Sequence, residues 1–350
     1  MPTSPSRLSA VPRSRPTCQP RSRTSWARTS SWHSRPPRGQ VPPSRPRSSP
    51  TAPVALTPRQ SILALAGAAK DEDTKQALES LAAASYASEV LAKRLSVLDL
   101  LERFPTVALP LGAFLALLPP MRVRQYSISS SPLCDPAAAT LTYSLLSAPS
   151  LSGRGTHTGV ASSYLASLAA GDRLHVAVRA AQPAFHLPAD AARTPLVCVA
   201  AGAGLAPFRG FAQERAAQLA AGRRLAPALL FVGCRAPGAD DVYAAELARW
   251  EAQGAVAVRR AYSRAPDRAH GCRYVQDRLW RDRADVEALW EAGAKVFVCG
   301  SREVGEGVKG AVLRMRKEWA ERKGWDASDE ASARWFESIR NERYATDVFD

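Results

Sequence analysis

Three short segments carry residue types that could do chemistry. Arg124-Gln125-Tyr126-Ser127-Ile128-Ser129-Ser130 offers a cation, an aromatic ring and several hydroxyls in a strand-like rhythm. Such a strip suits a flat, electron-rich heterocycle, because the ring can stack and a hydroxyl can bond to a ring nitrogen. Val298-Cys299-Gly300 puts a thiol at the end of an apolar run. Residues Arg343 to Asp350 add the carboxylate of Asp347 and the aromatic face of Phe349. Read alone, the strip is a Ser-rich strand with a half-buried Tyr, and Cys299 is a buried strand cysteine.

Two glycine turns suit phosphates. Gly159-Val160-Ala161-Ser162-Ser163 runs into a helical stretch, and a helix N-terminus presents free amides; Ser162 could equally be an N-cap. Gly202-Ala203-Gly204 lies between an apolar strand and a helix, the place of a dinucleotide-phosphate turn, although the glycine pattern alone is weak. Arg235 follows Gly233-Cys234, Ser263-Arg264 follows a strand, and Arg273-Tyr274 precedes Gln276. Guanidinium forks and hydroxyls of this kind match phosphate oxygens, whereas a lone Arg is usually a solvated charge. The histidines show no metal-ligand spacing, so no metal site is expected.

Positioning these residues needs three kinds of element. Residues 56–120 show apolar positions at helical spacing, from Ala64 and Leu65 to Leu95 and Leu98. Val123–Ser129, Thr140–Leu146 and Leu174–Val178 read as strands, which suits an antiparallel barrel. From 195 onward the rhythm is strand–helix–strand, that of a doubly wound parallel sheet, closed by helices over 304–323 and 329–343.

Six blocks in order carry a specific resemblance: Leu95 to Leu101, the Tyr126 strip, Gly159 to Leu165, Ala206-Pro207-Phe208-Arg209-Gly210-Phe211, Gly233-Cys234-Arg235, and the tail. From about residue 56 the chain resembles the carboxy-terminal part of the NADPH–cytochrome P-450 reductase family. The nearest likeness is to the reductase half of fusions between a heme monooxygenase and a diflavin reductase. The resemblance implies an α/β fold plus an antiparallel β-barrel of ferredoxin–NADP-reductase type. It divides the chain into a Ser/Pro/Arg-rich disordered tail (1–55), a remnant of a helical connecting region (56–120), a partial FAD-binding barrel (121–193) and an NADP-binding domain (194–350).

It also implies roles. NADPH gives hydride to FAD, and electrons pass on toward FMN or a heme monooxygenase, with FMN held by a domain outside this sequence. Arg124 and Gly159, Val160, Ala161 and Ser162 would hold the FAD pyrophosphate. Tyr126, Ser127 and Ser129 would meet the flavin, which Phe349 would shield. Ser127, Cys299 and Asp347 would form the hydride site. Gly202, Gly204 and Arg235 would meet the NADPH phosphates, and Ser263, Arg264, Arg273, Tyr274 and Gln276 the 2′-phosphate end. The chain departs from the family at Ala200, Ala203, Cys272, Ser301 and Phe349, where relatives carry Gly, Thr, a basic residue, Asp and Trp. The strands that open the family's barrel lie upstream of the helices and are not visible here, so the chain reads as amino-terminally truncated. Other readings are a ferredoxin- or sulfite-reductase-like flavoprotein, an inactive nucleotide-binding fragment, and a basic-tailed binding protein.

The net charge of +15 is concentrated at the amino terminus: residues 1–50 hold ten Arg and no acid, with eleven Pro. Their few aliphatic residues cannot build a core. Transit peptides are Arg- and Ser-rich, but this proline content opposes an amphipathic helix. A nucleic-acid-binding arm would use the same charge. Six scattered cysteines without a C-x-x-C pair fit a reduced intracellular protein. The longest apolar run, Val107 to Pro120, is too short to span a bilayer. A cytoplasmic location is expected.

Overall fold

The computed structural model describes residues 57–349 and the backbone of two earlier strands, β1 (Ser6–Ala10) and β2 (Ala27–His33). The chain divides into two compact units.

One unit holds described residues 57–125 and 145–167. Its helices are α1 (Arg59–Gly67), α2 (Glu72–Ala82), α3 (Val97–Arg103) and α4 (Leu111–Leu117), with a single π turn at Tyr86–Leu91. Their starts are written locally. Asp71 caps α2 by accepting the Thr74 amide at 2.7 Å, and Ser96 with Asp99 forms a reciprocal capping box on α3. Ile62, Leu65, Leu78, Val90 and Leu100, all fully buried, form the core of this unit. In the same unit a short hairpin of β4 (Ser147–Pro149) and β5 (Thr156–Thr158) leads into α5 (Val160–Ser167).

The other unit is built on a five-stranded parallel sheet in the order β11-β10-β7-β8-β9. Its strands are β7 (Leu196–Ala201), β8 (Ala228–Cys234), β9 (Ala257–Tyr262), β10 (Lys295–Ser301) and β11 (Tyr344–Phe349). Both faces of the central strands β7, β8 and β10 are buried, so these read as largely continuous apolar runs. Leu196, Cys198, Ala200, Leu230 and Phe297 pack on one face, and Val197, Val199, Phe231, Val296 and Val298 on the other. Helices α6 (Leu205–Ala220) and α7 (Ala244–Ala252) supply the first face with Phe208, Ala212, Leu247 and Trp250. Helices α8 (Val275–Arg281), α9 (Arg283–Glu291), α10 (Arg302–Lys323) and α11 (Asp329–Ile339) supply the second with Leu279, Val286, Met315 and Phe336. The strand order reverses between β7 and β10. In open α/β sheets, ligands bind at that reversal, outside the strands' carboxyl ends.

Two expectations need correction. Val123–Ser129 is not a strand: Val123 is exposed, and pairing is limited to an Ile128–Leu141 bridge and the Ser129 amide donating to Thr140 O at 2.7 Å. The closing helix stops at Ile339, and the chain turns at Asn341 with φ of 61°. The segment after it becomes β11, parallel to β10 with Cys299 opposite Asp347. Backbone pairing at an open sheet edge needs no apolar rhythm, so pattern alone did not announce it.

The barrel region appears as a four-stranded sheet, β3-β2-β1-β6, with β3 (Ala138–Ser144) and β6 (Arg173–Val176) from the expected strands. The two middle strands, β1 and β2, come from the amino-terminal segment and run antiparallel to their neighbours. Their pairing satisfies backbone groups that the edges of β3 and β6 would otherwise leave open. The rest of residues 1–56 lies outside the described residues. Among those described, no helix is long and apolar enough to cross a membrane.

Candidate functional site

The residues expected to form a hydride site meet at the reversal of strand order. Cys299 is fully buried near the end of β10, and its register partner Asp347 lies on the same face of the neighbouring parallel strand. Ser127 Oγ donates to Asp347 Oδ2 at 3.1 Å, across 220 residues of sequence. Burial first, and Asp347 second, push the Cys299 thiol far above its ordinary pKa of 9.0, so it stays protonated. The trio therefore offers a carboxylate, a hydroxyl and a neutral S–H, not a thiolate nucleophile.

The turn between β7 and α6 fits against these residues. Gly204 lies on the backbone of Cys299 and Gly300, and a Cβ there would collide with the Cys299 carbonyl oxygen. Gly202 has φ of 57°, a conformation glycine adopts without strain, and the space a Cβ would enter is open. That open side is the room a phosphate would need.

The candidate 2′-phosphate residues converge at the carboxyl ends of β8 and β9. The Ser263 amide donates to Cys234 O at 3.0 Å, Arg264 N to Arg235 O at 2.8 Å, and Tyr262 N to Cys272 O at 3.1 Å. These bonds place Arg235, Ser263, Arg264, Arg273 and Tyr274 on neighbouring turns. Cys272 points into the core, 5% exposed, whereas Arg273 is exposed. The cation therefore stands on the solvent side. Tyr274 is half exposed, and Asp277 accepts its amide at 2.9 Å. Gln276 packs its amide beside Gly307 of α10. Arg235 pairs with Asp240 at 3.3 Å, which fixes its fork at the strand end.

Tyr126 is half-buried and meets Tyr143 edge to face, centroids 5.9 Å apart. Ser129 behaves otherwise than expected. It is fully buried, and protein partners take all its polar groups. Its hydroxyl donates to Thr140 O at 2.9 Å and accepts from Thr142, while its carbonyl accepts from Arg209 Nη1 at 2.7 Å. It anchors the strip.

Sequence reasoning gave Arg209 a place in a block but no role. This buried guanidinium holds Ser129 O, ion-pairs with Glu246 at 2.8 Å and lies 4.4 Å from the Tyr243 ring centroid. Tyr243, in a left-handed conformation, bonds Thr142 at 2.7 Å. Gln213 and Glu214 of the same helix hold Ser131 at 2.8 and 2.9 Å. Helix α6 thus grips the Tyr126 strip. The signal was a cation among apolar residues at the helix start, Pro207-Phe208-Arg209.

In the other unit, Arg124 is exposed. Gly159 immediately precedes α5, and a Cβ there would stand 2.7 Å from Ser162 Oγ and 2.9 Å from Leu146 Cβ, so only glycine fits. Val160 and Ala161 open the helix. Ser162 is its third residue and no N-cap: its hydroxyl accepts from Leu146 N at 3.2 Å and donates to Gly159 O at 3.1 Å. It braces the turn.

Geometry of this kind defines an oxidoreductase with a dinucleotide domain. Residues 54–164 match the family model described as FAD binding domain, and residues 198–309 that described as oxidoreductase NAD-binding domain. A bifunctional cytochrome P-450/NADPH–P-450 reductase of Fusarium oxysporum is 63% identical over 292 residues, 83% of this chain and 27% of the relative. A self-sufficient cytochrome P-450 monooxygenase of Phanerodontia chrysosporium is 51% identical over 293 residues, again 83% and 27%. A second bifunctional protein, of Acremonium egyptiacum, is 45% identical over 293 residues with the same shares. The chain thus carries FAD- and NAD(P)-binding domains of ferredoxin-reductase type and is similar over most of its length to the reductase part of these fusions. It spans about a quarter of the length of these relatives.

Proposed function

We propose that the chain is the FAD- and NADPH-binding part of an electron-transfer reductase, with an FMN-bearing domain or heme monooxygenase as its acceptor. The observation that carries this is the Ser127–Asp347 bond beside Cys299 at the strand reversal. Bound FAD would accept a hydride and release electrons singly. Asp347 and Ser127 would orient the nicotinamide and stabilise charge that develops on it. Cys299, held neutral, would pack against the ring without competing as a nucleophile. Tyr126 would stack on the flavin and Phe349 would shield it. Gly202, Gly204 and Arg235 would receive the NADPH phosphates; Ser263, Arg264, Arg273 and Tyr274 would receive the 2′-phosphate. In the other unit, Arg124 and the Gly159 turn would serve a pyrophosphate, and its helices would be the connecting region.

The test is NADPH-driven ferricyanide reduction by the full chain supplied with FAD. Ser127→Ala should slow flavin reduction at least tenfold with NADP⁺ binding unchanged. A chain that takes up no FAD, or a variant as fast as the parent, would refute the reading.

A further inference from the structure

At the opposite edge of the parallel sheet, below the amino ends of β10 and β11, lies a cleft of about 240 Å³. Its walls are Trp290 of α9, Trp319 of α10, Trp325 of the following loop and Trp335 of α11, with Arg316 and Arg343. The cofactor residues described above stand at the carboxyl ends of the strands, so they do not explain this cleft.

Its charges are unequally served. Glu287 pairs with Arg322 and Glu291 with Lys323. Arg343 stacks 3.5 Å from the Trp290 centroid and donates to Trp290 O at 2.6 Å and Ala294 O at 3.1 Å. Arg316 differs. Its guanidinium lies 5.3 Å from the Trp325 centroid and 5.7 Å from that of Trp335. Its Nε and Nη1 are shut from water, and neither has an acceptor among the described residues. Stacking satisfies the π face of a guanidinium but not its in-plane N–H groups. Such buried donors are costly to leave unpaired.

We infer that this cleft binds a small aromatic monocarboxylate, its ring among the four indoles and its carboxylate accepting from Arg316. The volume equals that of about eight waters at ~30 Å³ each, room for one or two fused rings. Aromatic walls with a single unserved cation select a flat apolar body carrying one negative charge. Both carboxylates of the lining are already paired with Arg322 and Lys323, and Asp326, which feels the charge of Arg316, ion-pairs with Arg334 and not with Arg316.

The probe is 2-naphthoate, with neutral 2-naphthamide as its isostere, added to the full chain and followed by ligand-observed NMR and tryptophan fluorescence. Saturable naphthoate binding at least tenfold tighter than that of naphthamide is expected, unaffected by saturating NADPH. Arg316→Met should lose that preference, and Arg316→Lys should retain part of it. Equal binding of acid and amide, displacement of naphthoate by NADPH, or full binding by Arg316→Met would each overturn the proposal. If the Met variant does not fold, the acid–amide comparison on the unaltered chain decides.

Discussion

At the scale of residues, the two arginines of most interest do opposite work. Arg264 is exposed on a turn and has no ion-pair partner among the described residues, so its fork is available to a ligand phosphate. Charge-assisted bonds of this kind contribute about 1.5–3 kcal/mol each. Arg264→Ala should therefore narrow the NADPH-over-NADH preference by at least tenfold, read from kcat/KM with each nucleotide; an unchanged ratio would remove Arg264 from the site. Arg209 is buried, and its partners are all protein. Arg209→Leu leaves Glu246 without its cation and Ser129 without a donor, at a cost of about 3 kcal/mol in unfolding free energy. Denaturant titration should show this loss, and Arg209→Lys should recover part of it. The residue types of the proposed hydride site were legible in the sequence, because Ser127, Cys299 and Asp347 sit in blocks that resemble a family. The buried partnerships of Ser129 and Ser162 were not, since a serine looks the same whether its hydroxyl faces a ligand or a carbonyl.

At the scale of elements, the turn between β7 and α6 carries a sharp constraint. Gly204 has no room for a side chain because the backbone of β10 occupies it. Gly204→Ala should force the turn away from Cys299, lowering stability by about 1–3 kcal/mol and weakening NADP⁺ binding. A thermal melt and a nucleotide titration check both effects, and an unperturbed variant would contradict the packing described. The strands and helices between 196 and 323 were readable from apolar runs and helical spacing, within a few residues. β11 was not, because YATDVF at 344–349 lacks a strand's regular alternation and gains its place from pairing with β10. The strand reading of Val123–Ser129 failed for the converse reason: among the described residues, no neighbouring strand pairs along its length.

At the scale of the whole molecule, four buried thiols tie stability to alkaline pH. Burial pushes Cys198 up to about 12, and burial with Asp241 and Asp240 pushes Cys234 up to about 12, from an ordinary 9.0. The folded chain thus keeps protons that the unfolded chain releases above pH 9. Their contribution to stability is whole below pH 9 and is lost as pH rises toward 12, by up to about 1.4 kcal/mol per pH unit for each thiol. Denaturation midpoints should fall between pH 8 and pH 10, and a Cys198→Ala/Cys234→Ala variant should show a flatter decline. A midpoint that rises over this interval would show that these thiols are not the controlling groups. Division into units was only partly visible in advance: composition separated the tail and the helical stretch, but the interleaving of 126–144 and 145–167 between units depends on tertiary packing.

The placement of Asp347 bears on how the protein behaves in a tube. β11 is an edge strand, paired on one side only, and Asp347 is its one charged residue between Tyr344 and Phe349. Val348 and Phe349 beside it are each 44% exposed. A charge in an edge strand discourages a second molecule from adding its own strand. The carboxylate assigned to hydride transfer is thereby also a guard against self-association. Asp347→Ala should scatter light at concentrations where the parent stays clear, and Asp347→Lys should not. Any loss of turnover in the alanine variant has to be read from its monomeric fraction.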